Sequence, residues 1–318
     1  MKAFILEGGT EPTDLVLSER PTPIPGDGYV LVKNHSIGLN PVDWKVLGRI
    51  GARADKIPGC DGAGIVVAVG PGQSADLLGK RVAYHTHLIR DGSFAEYTTV
   101  ATRALMSIPD ELDFSSAAAV PCPALTAWLA AAKLPRRPGS MILVSGAGGS
   151  VGHYLVQFLA QTGCRVTTVS HTRHHARLRS LGSADCLSDA SQAAAGMYHA
   201  VIDSVGETVA AALTPCLRAN GHIIAIQGRF AAWPSPPFAQ CWSMHEVALG
   251  ALHVHGDDRD WAELIVAGNE ILTKLADGRL VGETLVPEDF GALPQHLAAL
   301  KERSFSGKAI IEMDHIHD

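Results

Sequence analysis

The segment ILVSGAGGSVGHYLVQFLAQTG, residues 142–163, constrains the fold more than any other part of this chain. An apolar, strand-like run leads into closely spaced glycines, and apolar residues at helical spacing follow them. Glycines in a strand-to-helix turn let the backbone approach a pyrophosphate, and the free N–H groups of the first helical turn then point at the anion. The segment predicts dinucleotide binding; a tight turn without a ligand is the alternative interpretation. The predicted contacts are Gly146, Gly148, Gly149, Ser150, Val151 and Gly152.

The order of strand-like and helical segments predicts two domains. Residues 119–254 alternate helices with the apolar strands MILV, RVTTV, AVID and HIIAIQ, as a parallel sheet covered on both faces requires. Residues 1–118 are rich in β-structure, with strands at YVLVKNHSIG, AGIVVAVG, KRVAYH and FAEYTTV. We therefore expect an α/β fold in which a doubly wound domain, 119–254, is inserted in a β-rich domain made of residues 1–118 and 255–318.

Helices and the last strands follow from the same patterns. A break at Pro121 and Pro123 is expected to separate two helices. Further helices are predicted at 173–181, 208–217 and 261–275. Strands are expected near RLVGETLV and at KAIIEM, with one more helix between them.

The charges that follow the second strand favour NADPH over NADH. NAD-binding folds usually place Asp or Glu there, where it binds the ribose hydroxyls. Here RVTTV is followed by SHTRHHARLRS, and no carboxylate occurs between Phe114 and Asp185. A guanidinium binds a 2′-phosphate with paired hydrogen bonds, whereas an acid repels it. Ser170, Arg173 and His174 are therefore the predicted 2′-phosphate contacts, and a solvated basic helix face is the alternative.

Composition argues against other classes of protein. The net charge of −6 does not favour bulk electrostatic binding to nucleic acid or to an anionic membrane. No apolar stretch is long enough to span a bilayer, and Met1 leads directly into a strand-like run rather than a signal peptide. The six cysteines are scattered without a CxxC pair, which indicates neither a disulfide framework nor a structural zinc lobe. We expect a reduced, cytoplasmic protein with a small-molecule substrate and no nucleic-acid or membrane partner.

Motifs along nearly the whole chain resemble one superfamily, the medium-chain dehydrogenase/reductases. Its order and spacing recur in GLNPVDWKVLGR, IPGCDGAGIVVAVG, GSFAEYTTV, AAAVPCPALTAW, GAGGSVG and SLGSAD. The chain looks most like the zinc-independent, quinone oxidoreductase-like (zeta-crystallin-like) branch. The resemblance implies a GroES-like catalytic domain and a Rossmann domain. It also implies a homodimer, in which the last strand of each Rossmann sheet, here near MHEVALGAL, pairs with its twin.

The resemblance also allows the positions of the catalytic zinc ligands to be compared. Zinc alcohol dehydrogenases of this superfamily hold a catalytic zinc with a Cys, the His of a GHE motif and a later Cys. Asn40 stands at the first position, and Cys60 and Asp61 replace the His and the Glu. Cys122 matches the third ligand position in some members. Asn is a poor zinc ligand, so we expect no metal and buried packing roles for the cysteines; a makeshift site of Cys60, Asp61 and Cys122 is the alternative.

Without zinc, an electron-poor acceptor needs hydrogen bonds to its developing oxyanion, and a proton. The resemblance places five candidate residues beside the nicotinamide: Asn40, Asp43, Tyr84, His85 and His87. Asn40 is predicted to hold the acceptor oxygen, and Tyr84, His85 or His87 to donate the proton. Strand alternation puts His85 and His87 on one face, where a paired-histidine metal site and two surface histidines are the alternatives. The alternative for Asp43 is a cap on the short helix DWKVLG.

Two further positions complete the predicted cofactor site. Relatives contact the cofactor near the nicotinamide at the position of Thr126, whose alternative role is to bond its own helix backbone. Gly228 is the other predicted contact. It opens the loop GRFAAWPSPPFAQCW, 228–242, which is expected to shape an apolar acceptor pocket or a dimer contact.

The sequence thus predicts an NADPH-dependent, zinc-independent oxidoreductase that transfers hydride to a quinone, an enone or a related carbonyl. A zinc-type alcohol dehydrogenase is the alternative among enzymes. A non-enzymatic cofactor-binding protein, structural or RNA-binding, is the alternative from another class, although no basic patch with interleaved aromatic residues is present.

Overall fold

The computed structural model describes residues 1–50, 56–135 and 137–313. Its contacts divide the chain into two compact units. The first combines Met1–Cys122 with Gly250–Asp318, and the second is Pro123–Leu249. The second unit is therefore inserted in the first, and the sequence places the two boundaries nearby, after residues 118 and 254.

Up to the first boundary the elements are β1 (Lys2–Leu6), β2 (Leu15–Glu19), β3 (Tyr29–Gly38), α1 (Pro41–Ile50), β4 (Asp61–Val69), β5 (Arg81–His85), β6 (Tyr97–Ala101), β7 (Leu105–Ser107) and α2 (Phe114–Ala118). Next come α3 (Pro121–Ala132), β8 (Met141–Ser145), α4 (Ser150–Gln161), β9 (Arg165–Val169), α5 (His175–Ser180), β10 (Ser183–Leu187), β11 (Tyr198–Asp203), α6 (Glu207–Leu213), β12 (Leu217–Ala225) and β13 (Ser243–Glu246). The last are α7 (Leu249–His255), α8 (Asp258–Ala276), β14 (Leu285–Asp289), α9 (Leu293–Glu302) and β15 (Lys308–Glu312).

The inserted unit is a parallel sheet with the strand order β10-β9-β8-β11-β12-β13. The order reverses beside β8, which is the arrangement of a Rossmann sheet, and ligands bind such sheets outside the carboxyl ends of the strands at this reversal. The glycine turn follows β8 directly. The predicted doubly wound sheet is therefore confirmed, and its glycine turn lies at the expected edge.

The first unit is built around β3, which pairs with β4, β6 and β15. The register sets Ile310 opposite Gly38, Gly38 opposite Asp61, and Asp61 opposite His85. One row across four strands thus brings the C-terminal strand β15 close to the end of β3 and to the starts of β4 and α1. The side chains of Phe4, Leu293 and other apolar residues of β1 and α9 form a core in this unit.

Several predicted boundaries were wrong. The helix predicted at 208–217 ends at Leu213, because Pro215 follows in a single tighter turn and Leu217 already begins β12. The strand expected near RLVGETLV starts only at Leu285. Strand β10 was not predicted, because this short edge strand is polar and half-buried. Helix α7 was not predicted either, and it replaces the second half of MHEVALGAL.

Within the described ranges, no helix combines the length and the apolar character needed to cross a membrane.

Candidate active site

Two glycines of the turn after β8 are required by backbone geometry. Gly146 has φ of +66°, and a Cβ atom there would lie 2.5 Å from the Ser204 hydroxyl. A Cβ atom on Gly152 would lie 2.4 Å from the backbone oxygen of Ala147, which cannot move aside as a side chain does. Gly146 therefore allows the left-handed turn, and Gly152 allows α4 to pack closely against it. This close packing was predicted from the sequence.

The turn presents backbone donors where α4 begins. Gly149 precedes the helix in an extended conformation, and Ser150 and Val151 lie in its first turn. N–H groups at these positions have no acceptor within their own helix, and the helix dipole adds positive potential. A Cβ atom on Gly148 would lie 2.4 Å from the ring of His174, so this part of the turn is open only because residue 148 has no side chain. The predicted cofactor contacts of the turn thus have the geometry of an anion site.

Asp203, which was not among the predicted site residues, links the ends of strands β8 and β11 beside the turn. Its carboxylate accepts a short hydrogen bond from the Ser145 hydroxyl and, at 2.7 Å, one from the N–H of Gly206. The Ser204 hydroxyl in turn donates to the backbone oxygen of Ser145 at 2.8 Å. The signal in the sequence is a carboxylate at the end of the apolar strand YHAVID.

The basic segment after β9 also touches the turn. Arg177 donates to the backbone oxygen of Gly148 at 2.7 Å, so this guanidinium is already used. Arg173 is exposed and bonds His174 through Nε at 3.2 Å, while its two Nη groups have no partner in the described part of the chain. Burial and the charges of Arg177 and Arg173 lower the pKa of His174. Ser170 is half-buried beside this cationic group.

The two remaining predicted cofactor residues lie on different elements of the inserted unit. Thr126 is buried in α3. Gly228 follows β12 with φ of +82°, and a Cβ atom there would lie 2.9 Å from the N–H nitrogen of Glu207. A cavity of about 330 Å³ lies between the loop that Gly228 opens and the strands β12 and β13, with Phe230 and Trp233 in its lining. The predicted cofactor contacts of Thr126 and Gly228 stay predictions.

Asp61 is the centre of a buried polar network in the first unit. Its side chain has no exposed surface. One carboxylate oxygen pairs with Nδ1 of His85 at 2.8 Å. The other accepts hydrogen bonds from the Asn40 amide at 2.9 Å and from the backbone N–H of Cys122 at 2.8 Å. Three donors therefore satisfy this carboxylate.

The contact with Asp61 orients His85 for acid–base chemistry. A carboxylate only accepts, so Nδ1 of His85 carries the proton of this bond. Nε2 has no hydrogen-bond partner in the parts of the chain that the structure describes. Burial lowers the pKa of His85, but the hydrogen bond and the charge of Asp61 more than offset this, and the pKa is raised overall. His85 is thus a 6% exposed imidazole that is stabilised as a cation.

The structure corrects the predicted role of Asn40. Its side-chain oxygen accepts from the ammonium group of Lys308 at 2.6 Å, and its N–H groups face Gly38 and Asp61. Only 2% of Asn40 is exposed. Both N–H groups are thus used inside the protein, so the amide has no donor left for an acceptor oxygen.

Asp43 has the capping role that was the alternative for it. One carboxylate oxygen accepts from the backbone N–H of Asn40 at 2.7 Å, while the backbone N–H of Asp43 bonds the Asn40 oxygen at 3.0 Å. Asp43, the third residue of α1, thus caps Asn40, the residue that precedes the helix. Burial, and then the charge of Asp61, raise the pKa of Asp43 to about 7. A fully buried cap cannot reach a substrate, so we assign Asp43 no catalytic step.

The buried Asp43 carboxyl should make stability depend on pH. Above pH 4 the unfolded chain loses this proton, whereas the folded protein keeps it up to about pH 7, so stability should fall across this window. The raised pKa of His85 acts in the same direction at higher pH. In the wild type the free energy of unfolding should decline between pH 4 and 7, and Asp43→Asn should remove up to about 4 kcal/mol of this decline. Urea unfolding at several pH values measures it. Asp27→Asn, in an exposed loop, is the control, and an unchanged slope in Asp43→Asn would contradict the assignment.

Tyr84 and His87 do not join this network. The Tyr84 hydroxyl donates to the Asn34 side chain at 2.5 Å in the interior, which corrects its predicted role as proton donor. His85 and His87 each lie with ring centroids 5.4 Å from His253, so both contact the same neighbour. Strand alternation is not the reason, because β5 ends at His85 and His87 lies in the loop after it. Burial, then Lys56 and other cations, lower the pKa of His87.

One group of side chains in the described residues has metal-ligand spacing. Donor atoms of Cys60, Asp61 and His85 lie within 4.8 Å of one another, and all three residues are buried. Both Asp61 oxygens and Nδ1 of His85 already take part in hydrogen bonds, whereas Nε2 of His85 has none among the described residues. Burial first, and then Cys122, raise the pKa of the Cys60 thiol, which disfavours the thiolate that zinc binds. The predicted burial of Cys60 is confirmed, while Cys122 is half-buried.

Comparisons with known proteins agree with this architecture. A profile of the alcohol dehydrogenase GroES-like domain matches residues 26–110. The chain is 34% identical to the quinone oxidoreductase of Homo sapiens over 169 residues, which are 52% of this chain and 50% of that protein. It is 31% identical to the chloroplast envelope quinone oxidoreductase homolog of Arabidopsis thaliana over 235 residues, 67% of this chain and 70% of that protein.

A solved structure extends the similarity over the whole chain. An alcohol dehydrogenase superfamily protein from Novosphingobium aromaticivorans matches with a TM-score of 0.86 at 25% identity, over 98% of this chain and 99% of that one. In sequence, the chain spans about half the length of the mammalian quinone oxidoreductases that it matches. The β-rich unit is GroES-like, and the inserted unit is a Rossmann domain. The chain therefore belongs to the medium-chain dehydrogenase/reductase superfamily and is quinone oxidoreductase-like within it.

Proposed function

We propose that this chain is an NADPH-dependent, zinc-independent reductase of quinones, enones or related electron-poor carbonyls. The observation that carries the proposal is the buried Asp61–His85 pair, which leaves Nε2 of His85 without a partner among the described residues. The names of the relatives support the acceptor class, since those of Homo sapiens and Arabidopsis thaliana are described as quinone oxidoreductases.

His85 is the proposed proton donor. When bound, the dihydronicotinamide supplies a hydride, which leaves negative charge on the acceptor oxygen. The His85 cation donates its Nε2 proton to that oxygen and becomes neutral; the other proton stays on Nδ1, and its hydrogen bond to Asp61 holds the ring in place. One hydride and one proton thus reduce the acceptor. Asp61 favours the cation, because its charge and hydrogen bond raise the pKa of His85.

The proposed cofactor site combines the glycine turn with the basic segment after β9. The pyrophosphate is assigned to the N–H groups at the start of α4, and the 2′-phosphate to Ser170, Arg173 and His174. Arg173 is the main contact because its Nη groups have no partner in the described chain, whereas Arg177 is held by Gly148. Thr126 stays a proposed contact near the nicotinamide, and Gly228 stays a proposed cofactor contact.

Arg173→Ala should weaken NADPH binding at least tenfold and change NADH binding less than about twofold. The reason is the loss of a charge-assisted contact worth about 1.5–3 kcal/mol, which only the 2′-phosphate makes. Titration of both cofactors into the purified protein measures this. Arg179→Ala, which changes an exposed arginine of the same basic segment, is the matched control. Equal affinities of NADPH and NADH for the wild type would refute the preference.

The acceptor class and the metal are tested together. We expect NADPH oxidation with a panel of quinones and enones, and no change after treatment with a chelator. The second candidate function, a zinc-type alcohol dehydrogenase, is favoured only by the spacing of Cys60, Asp61 and His85. One tightly bound zinc per chain, with alcohol oxidation that a chelator abolishes, would establish that alternative. No NADPH oxidation with any acceptor would refute the reductase.

Assembly and location complete the proposal. The last strand of the Rossmann sheet, β13, pairs with β12 and ends the sheet, so a second copy can extend the sheet there. We therefore propose a homodimer formed through β13. All six cysteines are free, which fits a reducing, cytoplasmic environment.

A further inference from the structure

Lys308 is a buried lysine that neither the sequence analysis nor the proposed reaction has used. It begins β15, close to the end of the described chain, and only 2% of it is exposed. Its ammonium group donates to the backbone oxygen of Leu39 at 3.0 Å and to the side-chain oxygen of Asn40 at 2.6 Å. A buried ammonium group is costly unless its surroundings offset the charge, so its position calls for an explanation.

The contact with Lys308 fixes the orientation of the Asn40 amide. An ammonium group only donates, so the amide atom 2.6 Å from it must be the oxygen. The NH₂ group of Asn40 then points the other way, toward the Asp61 carboxylate at 2.9 Å. If the amide rotated by half a turn, two donors would face each other at Lys308 and two acceptors at Asp61. Lys308 thus selects one of the two amide orientations.

The selected orientation determines which oxygen of Asp61 faces His85. The Asn40 amide and the backbone N–H of Cys122 occupy one carboxylate oxygen. The other oxygen is left for Nδ1 of His85, at 2.8 Å. Hydrogen bonds therefore run without interruption from Lys308 through Asn40 and Asp61 to His85, and these residues come from four different elements or the loops beside them.

Lys308 also acts on the buried carboxyl groups of this unit through its charge. Asp43 and Asp61 are both fully buried, and the charge of Lys308 lowers the pKa of Asp43 against the effect of burial. The titratable and charged groups that face the network are Asp43 from α1, Cys60 and Asp61 from the start of β4, His85 from β5, Cys122 from α3, His87 from the loop after β5, His253 from α7, and Lys308 from β15. Lys308 bonds directly to this chain of side chains, through the side-chain oxygen of Asn40.

We propose that Lys308 is a positioning residue for the proton donor: it holds the Asn40 amide in one orientation and thereby fixes Asp61 and the Nδ1–H of His85. This inference rests on the proposed function of His85. It predicts an effect on the acid–base behaviour of His85, whereas a lysine that only fastens β15 to residue 39 would affect stability alone.

The test compares Lys308→Met with Lys308→Arg and with Lys301→Met. Lys301→Met is the matched control, since Lys301 lies in the same C-terminal part on α9 and pairs with Glu11 at the surface. The first readout is the titration of the His85 ring by ¹H–¹⁵N NMR, with its signals assigned by their loss in His85→Gln. The second is the pH profile of kcat for a quinone, together with the KM for NADPH.

Lys308→Met should move the His85 titration midpoint to lower pH by about half a pH unit or more, because the hydrogen bond from Nδ1 to Asp61, which raises the pKa of His85, is no longer held in place. It should also lower kcat about tenfold, since the proton donor is no longer held in place, with the KM for NADPH within about twofold. Lys308→Arg should restore most of the wild-type pH profile, and Lys301→Met should resemble the wild type. If Lys308→Met does not fold, Lys308→Gln takes its place in the comparison, because an amide both donates and accepts and therefore no longer selects one orientation of Asn40.

A folded Lys308→Met or Lys308→Gln protein with an unchanged His85 titration and an unchanged kcat profile would overturn the inference. The proposed function fails on a different result, which is the absence of NADPH oxidation by the wild type with every acceptor. The NMR titration needs no turnover, so it tests Lys308 even in that case.

Discussion

His85→Gln is expected to lower kcat for quinone or enone reduction by about 100- to 1,000-fold, while the Kd of NADPH changes less than about twofold. Glutamine keeps a polar side chain but cannot donate a proton as an acid, and a positioned general acid typically contributes about 10²–10⁴-fold. Cofactor affinity is expected to persist because the glycine turn and the basic segment belong to the other compact unit. Stopped-flow measurement of NADPH oxidation separates turnover from binding.

The matched control for this variant is His255→Gln, because His255 is exposed at the end of α7 and makes no contact with Asp61. Turnover of His85→Gln within threefold of the wild type would remove His85 from the reaction, and the oxyanion would then need another donor. Loss of NADPH binding together with turnover would indicate a general structural defect instead.

The pH profile gives an independent check on the same assignment. An acid catalyst must be protonated, so kcat should fall as pH rises through the folded-state pKa of His85. That pKa lies above the ordinary value because of Asp61, so the midpoint should lie above about 6.5. In Asp61→Asn the carboxylate is lost, and the midpoint should move to lower pH. A wild-type profile that is flat from pH 6 to 9 would contradict this role.

The Rossmann unit could be predicted from sequence because its signals are local. The glycine turn, the helix after it and the apolar strands each lie within a few residues of one another, and the alternation of strands with helices indicates a parallel sheet. The short edge strand β10 was missed for the corresponding reason, since it has neither an apolar pattern nor two covered faces. Local signals thus determined which elements were found.

The Asp61–His85 pair could not be predicted in the same way. The two residues are 24 positions apart and meet because the antiparallel register sets them opposite each other on β4 and β5. In the sequence, Asp61 stands at a position that belongs to the metal site of zinc-dependent relatives, and His85 was grouped with His87. Asn40 and Lys308 are separated by 268 positions, and no local pattern connects them. The role predicted for Asn40 was inferred from its place in the superfamily rather than from its contacts, which is why the structure corrects it.

The second large effect is expected from the loss of the Asn40 side chain, and it is an effect on the stability of the protein. Asn40→Ala is expected to lower the free energy of unfolding by about 3–5 kcal/mol, in the range observed when one partner of a buried charged network is removed. The variant leaves the Lys308 ammonium group with only the Leu39 oxygen, and it removes a donor from the buried Asp61 carboxylate. Urea unfolding followed by circular dichroism measures the loss.

The same substitution at Asn269 provides the control. Asn269 accepts one hydrogen bond, from the backbone N–H of Ser107 at 2.8 Å in a solvent-exposed setting, so Asn269→Ala should cost about 1 kcal/mol. The two hypotheses for Asn40 then give opposite results. A residue that donates to the acceptor oxygen would, when replaced by alanine, leave stability nearly unchanged and lower turnover. A residue that bridges Lys308 and Asp61 lowers stability first, and wild-type stability in Asn40→Ala would show that the bridge contributes little and return Asn40 to the reaction itself.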